Sequence, residues 1–200
     1  MFKRHPATRS TRSRTLLSAA LAAVCLGAAG SATAVEFGQV QAEKSTLTFV
    51  SKQMGVAVDG KFRKFATTLA FDPAKPTQGS ARLDLDMASI DAGSKDANDE
   101  VVGKAWFNVK EHPQASFVST SVKALGGDRY EAAGKLTIKG KVQDVKAPFT
   151  FRQDGGNGIF DGYFTLKRLD FAIGDGAWSD TSAVANEVQI KFHVVAAARK

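Results

Sequence analysis

The sequence predicts an all-β fold: one antiparallel domain of about eight strands, arranged as a closed barrel or a sandwich. Three observations lead there. Apolar and polar residues alternate with period two over most of the chain beyond residue 35, and glycine-rich turns recur at short intervals. No long helical pattern separates the strands, as βαβ units would require.

Residues 1–34 stand apart from this pattern. Lys3, Arg4, Arg9, Arg12 and Arg14 precede an apolar run from Leu16 to Ala29, and Ala32-Thr33-Ala34 offers small residues where a signal peptidase cuts. The expectation is a cleaved signal peptide over 1–34, cleavage before Val35, and a periplasmic domain over 35–200. The run is too short for a permanent membrane span. Those five bases account for most of the net charge of +7. The remainder carries 22 basic against 20 acidic residues, so the basic balance points to no nucleic-acid partner. Cys25, the single cysteine, lies inside the same segment, which leaves the expected mature chain without a thiol.

The strands follow in order. TLTFVS opens the series, and Asp59-Gly60 reads as a hairpin turn. FATTLAF puts Phe65, Thr67, Leu69 and Phe71 on one face before the breaker DPAKP. ARLDLDM aligns Ala81, Leu83, Leu85 and Met87 against Arg82, Asp84 and Asp86. The acid-rich stretch that continues to Glu100 lacks the spacing of a calcium loop. Asp84 and Asp86 therefore read as solvated, and Asp96, Asp99 and Glu100 as acids at a helix start. A helical insert from about Asp96 to Val109, weakened by Gly103, is expected as two short pieces. SFVSTSV, GKLTIKG, APFTFRQ, YFTLKRLDF and EVQIKFHV supply the later strands, with turns at Gly126-Gly127-Asp128 and from Asp154 to Gly158.

Catalytic patterns are weak. His112 precedes a proline and His193 falls on the polar face of the last strand, and neither has zinc-site spacing. Nucleophile-elbow and phosphate-loop motifs are absent from the sequence. Asp170, Asp175 and Asp180 near Trp178 are the one carboxylate group that could serve a glycosidase. Thirteen phenylalanines beyond the signal suit a wide apolar interior, whether hollow or filled.

Three blocks carry a resemblance: KAWFNVKEHPQASFVSTSV, YEAAGKLTIKGKVQDVKAPFTF, and LKRLDFAIGDGAW followed by NEVQIKFHV. Their order and spacing resemble the YceI family of exported bacterial proteins. The resemblance implies a single antiparallel eight-stranded extended β-barrel, lipocalin-like, that binds a polyisoprenoid, isoprenoid quinone or similar lipid without performing chemistry on it. Where many members carry Arg-Asp and then His-Leu in the helical insert, this chain has Lys95-Asp96 and Ala97-Asn98. A head-group contact through that pair is therefore not carried over.

Alternation selects the wall of such a cavity: Phe49, Phe65, Leu69, Leu83, Leu85, Met87, Phe117, Leu136, Ile138, Phe149, Phe151, Phe164, Leu166, Ile190 and Phe192. Trp106, Phe107 and Trp178 are candidate lids or rims. Arg168 and Asp170 match the family's R-x-DF block, where Arg168 would either serve a pyrophosphate head group or play a structural part, pairing with Asp170 or capping a turn. Burying ~400 Å² of lipid would contribute about 10 kcal/mol, offset in part by the lost freedom of a flexible chain. No cofactor or metal is expected. The partners are an apolar lipid and, transiently, a membrane or membrane protein, with a homodimer left open. Two other readings stay in play: a hydrolase or isomerase acting on such a lipid, and an interaction protein with a dry core.

Overall fold

The computed structural model describes residues 35–199, so the expected signal peptide over 1–34 lies outside the described residues. Eleven strands form one antiparallel sheet: β1 (Phe37–Val40), β2 (Thr46–Gln53), β3 (Val56–Phe62), β4 (Phe65–Ala70), β5 (Ser80–Asp86), β6 (Ile90–Asp91), β7 (Gln114–Gly126), β8 (Arg129–Ile138), β9 (Lys141–Asp154), β10 (Asn157–Lys167) and β11 (Glu187–Ala198). Their order is β4-β5-β7-β8-β9-β10-β11-β2-β3-β6, with β1 beside β11. The long strands β7 to β10 run as consecutive hairpins. Their turns use left-handed residues where expected, at Gly126-Gly127 and Gly155, and also at Lys139-Gly140.

The sheet curls into a half-barrel. β3 and β4 follow each other in sequence, yet no ladder joins them among the described residues. Two short bridges span the open side instead. At one end Phe37 and Phe71 exchange main-chain hydrogen bonds of 2.8 and 3.0 Å, which hang β1 between β11 and the end of β4. Near the middle, β6 continues from β5 and pairs with β3 through Phe62↔Ile90. Ser89 pins that corner, accepting from the Lys64 N–H and donating to the Asp86 carbonyl.

Four expectations are corrected here. Eleven strands replace eight: β1 and β6 span four and two residues, too few for alternation to register, and β3 was hidden by the turn placed within it. The turn expected at Asp59-Gly60 lies instead at Met54-Gly55, both with positive φ, and Gly60 sits inside β3 opposite Phe49. The insert yields one helix, α1 (Lys95–Val101), and then turns to residue 112. Ser94 caps α1 by accepting from the Ala97 N–H at 3.1 Å. Asp96 lies in the first turn, Asp99 pairs with Lys95 one turn back, and Glu100 belongs to the last turn, not the first. Asp84 and Asp86 point away from the apolar face as expected. Asp84 takes Arg82 through two hydrogen bonds, and Asp86 caps the turn at Ala88.

Two apolar clusters hold the inside. One gathers around α1 and the 168–184 loop, with Leu85, Met87, Trp106, Leu136, Phe171 and Ile173. The other is aromatic and lies at the Phe37–Phe71 bridge. There the Phe71 ring meets Tyr130, Phe149, Phe151 and Phe160 at centroid distances of 5.1 to 5.9 Å, mostly edge-on. Phe71→Ala removes the centre of this plug. It is expected to lower stability by about 3–5 kcal/mol, seen in calorimetry as a midpoint about 6–20 °C lower.

Candidate functional site: an apolar cavity inside the half-barrel

Between the two clusters lies a cavity of about 560 Å³, well within the 300–1,000 Å³ or so typical of sites for small molecules. Its wall is what alternation selected. Phe49, Phe65, Leu69, Leu83, Leu85, Met87, Phe117, Leu136, Ile138, Phe149, Phe164, Leu166, Ile190 and Phe192 all line it, as do Trp106, Phe107, Trp178 and Arg168. Phe151 does not: it packs in the aromatic plug against Phe37, Phe71 and Phe160. Several of these inward side chains, Phe49, Phe65, Phe117, Phe164, Ile190 and Phe192 among them, are only half-buried. In a solid core they would be sealed by neighbours. Here they border open space.

Glycine keeps that space open. Phe49 stands directly across the β2–β3 ladder from Gly60, and Phe192 across β10–β11 from Gly162. A Cβ on Gly60 would collide with the Phe49 ring, and one on Gly162 with the Phe192 ring. The Phe117 ring covers Gly134 in the same way. Each ring therefore lies along the wall and leaves the lumen free, a packing mode known for glycines in curved sheets.

The wall also includes residues that sequence reasoning did not select. Val58 and Phe62 were missed with the misplaced turn, although they share the parity of Gly60 along β3. Phe160 was missed because Gly162 interrupts the alternation that leads back from Phe164. Val184 and Ile173 belong to a loop, where no periodicity reports the inward side.

The α1 end is the polar mouth. Gln53, Asp96, Glu100 and Trp178 line the cavity there and are exposed, while the other exposed lining residues, Thr46 and Ser80, are uncharged. Contacts connect these groups. Gln53 pairs with Val184, Trp178 donates its indole N–H to Glu100 at 2.9 Å, and Trp178 packs on Trp106 at 5.6 Å. Trp106 is 9% exposed, and its own indole N–H is buried without a partner among the described residues, as is the Thr67 hydroxyl.

Arg168 takes the structural role of the two that its motif allowed. It is 1% exposed. All five of its N–H groups donate to main-chain carbonyls: Nε to Ala185, Nη1 to Ile173 and Gly174, Nη2 to Trp178 and Val184. No donor is left for a head group. The guanidinium also lies 5.8 Å from the Trp106 ring centroid, and burial pulls its pKa below the ordinary arginine value. Gly174, at φ +67°, lets this happen, since a Cβ there would strike Nη1 at 2.6 Å and Trp106 at 3.2 Å. No Arg168–Asp170 ion pair forms among the described residues.

The carboxylates considered for catalysis do not converge. Asp170 is exposed, Asp175 pairs with Lys139 at 3.5 Å, and hydrogen bonds from the Ser182 hydroxyl and N–H hold Asp180 below the usual carboxylate range. None of the three lines the cavity. His193 lies on the outer face, 2.5 Å from Asp161. Among the described residues no group of three or more His, Cys, Asp or Glu could hold a metal ion.

Comparison with known proteins is decisive at the level of family. The profile of the YceI-like domain matches residues 39–196. The chain belongs to the YceI family. Relatives include a UPF0312 protein of Azotobacter vinelandii, 30% identical over 168 residues, covering 80% of this chain and 87% of that protein. Another from Pectobacterium atrosepticum is 33% identical over 135 residues, 66% and 69% of the two chains. Among solved structures, Burkholderia cenocepacia BcnA is 51% identical with a TM-score of 0.77, covering 78% of this chain and 99% of that one. A polyisoprenoid binding domain from Saccharophagus degradans shares the fold at 16% identity and a TM-score of 0.63, covering 83% and 99%.

Two substitutions probe this YceI-like site. Gly60→Ala is expected to swing Phe49 into the lumen and weaken binding of an apolar fluorophore about tenfold. Adding Phe49→Ala should restore it, and a crystal structure reports the ring's position. Arg168→Met leaves the five carbonyls without donors. It is expected to lower stability by about 3–5 kcal/mol, and Arg168→Lys, with three donors on a single nitrogen, should not recover it in the same melting assay.

Proposed function

We propose that this protein is a periplasmic carrier or reservoir that encloses a long apolar lipid, a polyisoprenoid, isoprenoid quinone or similar amphiphile, without catalysis. The observation that carries the reading is the 560 Å³ cavity walled by phenylalanine and aliphatic side chains. Such a wall binds by removing hydrocarbon from water, and it offers little that would recognise a polar solute. The Saccharophagus degradans domain of the same fold is described as polyisoprenoid binding, which supports the ligand class. The signal-like pattern of residues 1–34 supports export to the periplasm.

Absence of catalysis is supported by what lines the cavity. Among the described residues its ionisable side chains are Asp96, Glu100 and the fully committed Arg168, and no nucleophile stands beside a general base there. Loading from a membrane or a membrane protein is supported by the β2–β3 tip. Met54 and Val56 are 84% and 67% exposed beside the mouth, and apolar side chains so placed suit contact with lipid.

Native mass spectrometry of gently purified protein is expected to show an apolar adduct that organic extraction removes and a total lipid extract restores. A protein that never carries an adduct and takes up nothing from the extract would end this reading. Sequencing of the periplasmic form should begin at Val35.

A further inference from the structure

The mouth of the cavity carries a sign. Asp96 and Glu100 are one helical turn apart on α1, so both carboxylates face the same way, with Ala97 and Val101 between and beside them on the lining. Among the described residues the cavity lining contains no lysine and no histidine, and its single cation, Arg168, has every N–H engaged by a main-chain carbonyl. A ligand whose apolar chain fills the lumen therefore leaves its polar end among two carboxylates, the Gln53 amide and the tryptophan pair.

We propose that the cavity selects amphiphiles whose polar end is uncharged or cationic, a hydroxyl, a carbonyl or an amine, and rejects chains that end in phosphate or pyrophosphate. This deepens the carrier reading and rests on it. The physical reason is desolvation without compensation. An anionic end at this mouth would lose water and meet like charge, with no free N–H of an arginine or lysine on the lining to replace that hydration. A hydroxyl or an ammonium can donate to Asp96 or Glu100, and Glu100 keeps an acceptor oxygen free beyond the one that takes the Trp178 N–H. Trp106 supplies an independent sign that the ligand is more than hydrocarbon. It lines the cavity against Trp178, and its buried indole N–H has no acceptor among the described residues. A buried donor of this kind is ordinarily met, and an oxygen of a bound molecule would meet it.

Three probes of one chain length separate the possibilities: geranylgeraniol, geranylgeranylamine and geranylgeranyl phosphate, each displacing 1-N-phenylnaphthylamine from the purified protein. The alcohol and the amine are expected to displace at similar concentrations, and the phosphate to need at least about tenfold more, 1.4 kcal/mol. Asp96→Asn with Glu100→Gln keeps an acceptor for Trp178 and removes both charges. It should bring the phosphate within about threefold of the alcohol and weaken the amine, with the melting midpoint unchanged. Each single substitution should give part of the effect. A phosphate that displaces as well as the alcohol, or a gap that survives the double substitution, overturns the inference and leaves the carrier reading standing. If none of the three chains displaces the fluorophore, both fall together.

Discussion

Phe49 lies over Gly60 and Phe192 over Gly162, and the capacity of this barrel rests on those contacts. An inward sheet face this rich in phenylalanine would ordinarily interdigitate until no void remained, because unfilled space forfeits dispersion contacts. Glycine changes the outcome by giving each ring a place to lie on the wall. The ring then covers main chain, gains contact with it, and leaves the axis free. The hollow is therefore built into strand pairing, since each phenylalanine must face its glycine across a ladder. A register slip of one residue would turn the rings outward and destroy both wall and cavity.

The two ends of the cavity are closed by different physics. At the Phe37–Phe71 bridge the closure is apolar: rings at about 5 Å, tilted or edge-on, make a rigid stopper. At the α1 end the closure is polar and centred on a buried cation. Arg168 draws carbonyls from residues 173 to 185 onto one guanidinium, and so shapes a long loop that has little regular structure of its own. A planar group with five donors in fixed directions can organise such a loop, whereas a flexible ammonium cannot. The same arrangement makes the residue useless to a ligand. Scaffold and recognition are thereby separated at the mouth, and the charge that remains available there is negative.

The sheet's incomplete closure fits this division. With no ladder between β3 and β4 among the described residues, the wall is held shut by two short bridges. Each can open at the expense of few hydrogen bonds, so this side is the one most easily widened for a bulky chain. The exposed Met54 and Val56 lie on the β2–β3 hairpin that borders it.

Period two was enough to determine the class of the fold and the inward face of each long strand, because successive side chains in a strand can point in only two directions. That is why every wall residue chosen from the sequence lines the cavity except Phe151, whose position along its strand, not its side, put it in the plug. The sequence named Trp106 and Trp178 as candidate rims and Arg168 as part of the R-x-DF block, but nothing in it joined the three. Three things waited on tertiary structure. The β2–β3 turn lay at Met54-Gly55, since a glycine flanked by aspartate looks the same in a turn as under a phenylalanine ring. The short strands β1 and β6 exist only because partners far along the chain hold them. The role of Arg168 depended on which carbonyls a folded loop brings within 3.1 Å, and local sequence carries no record of that.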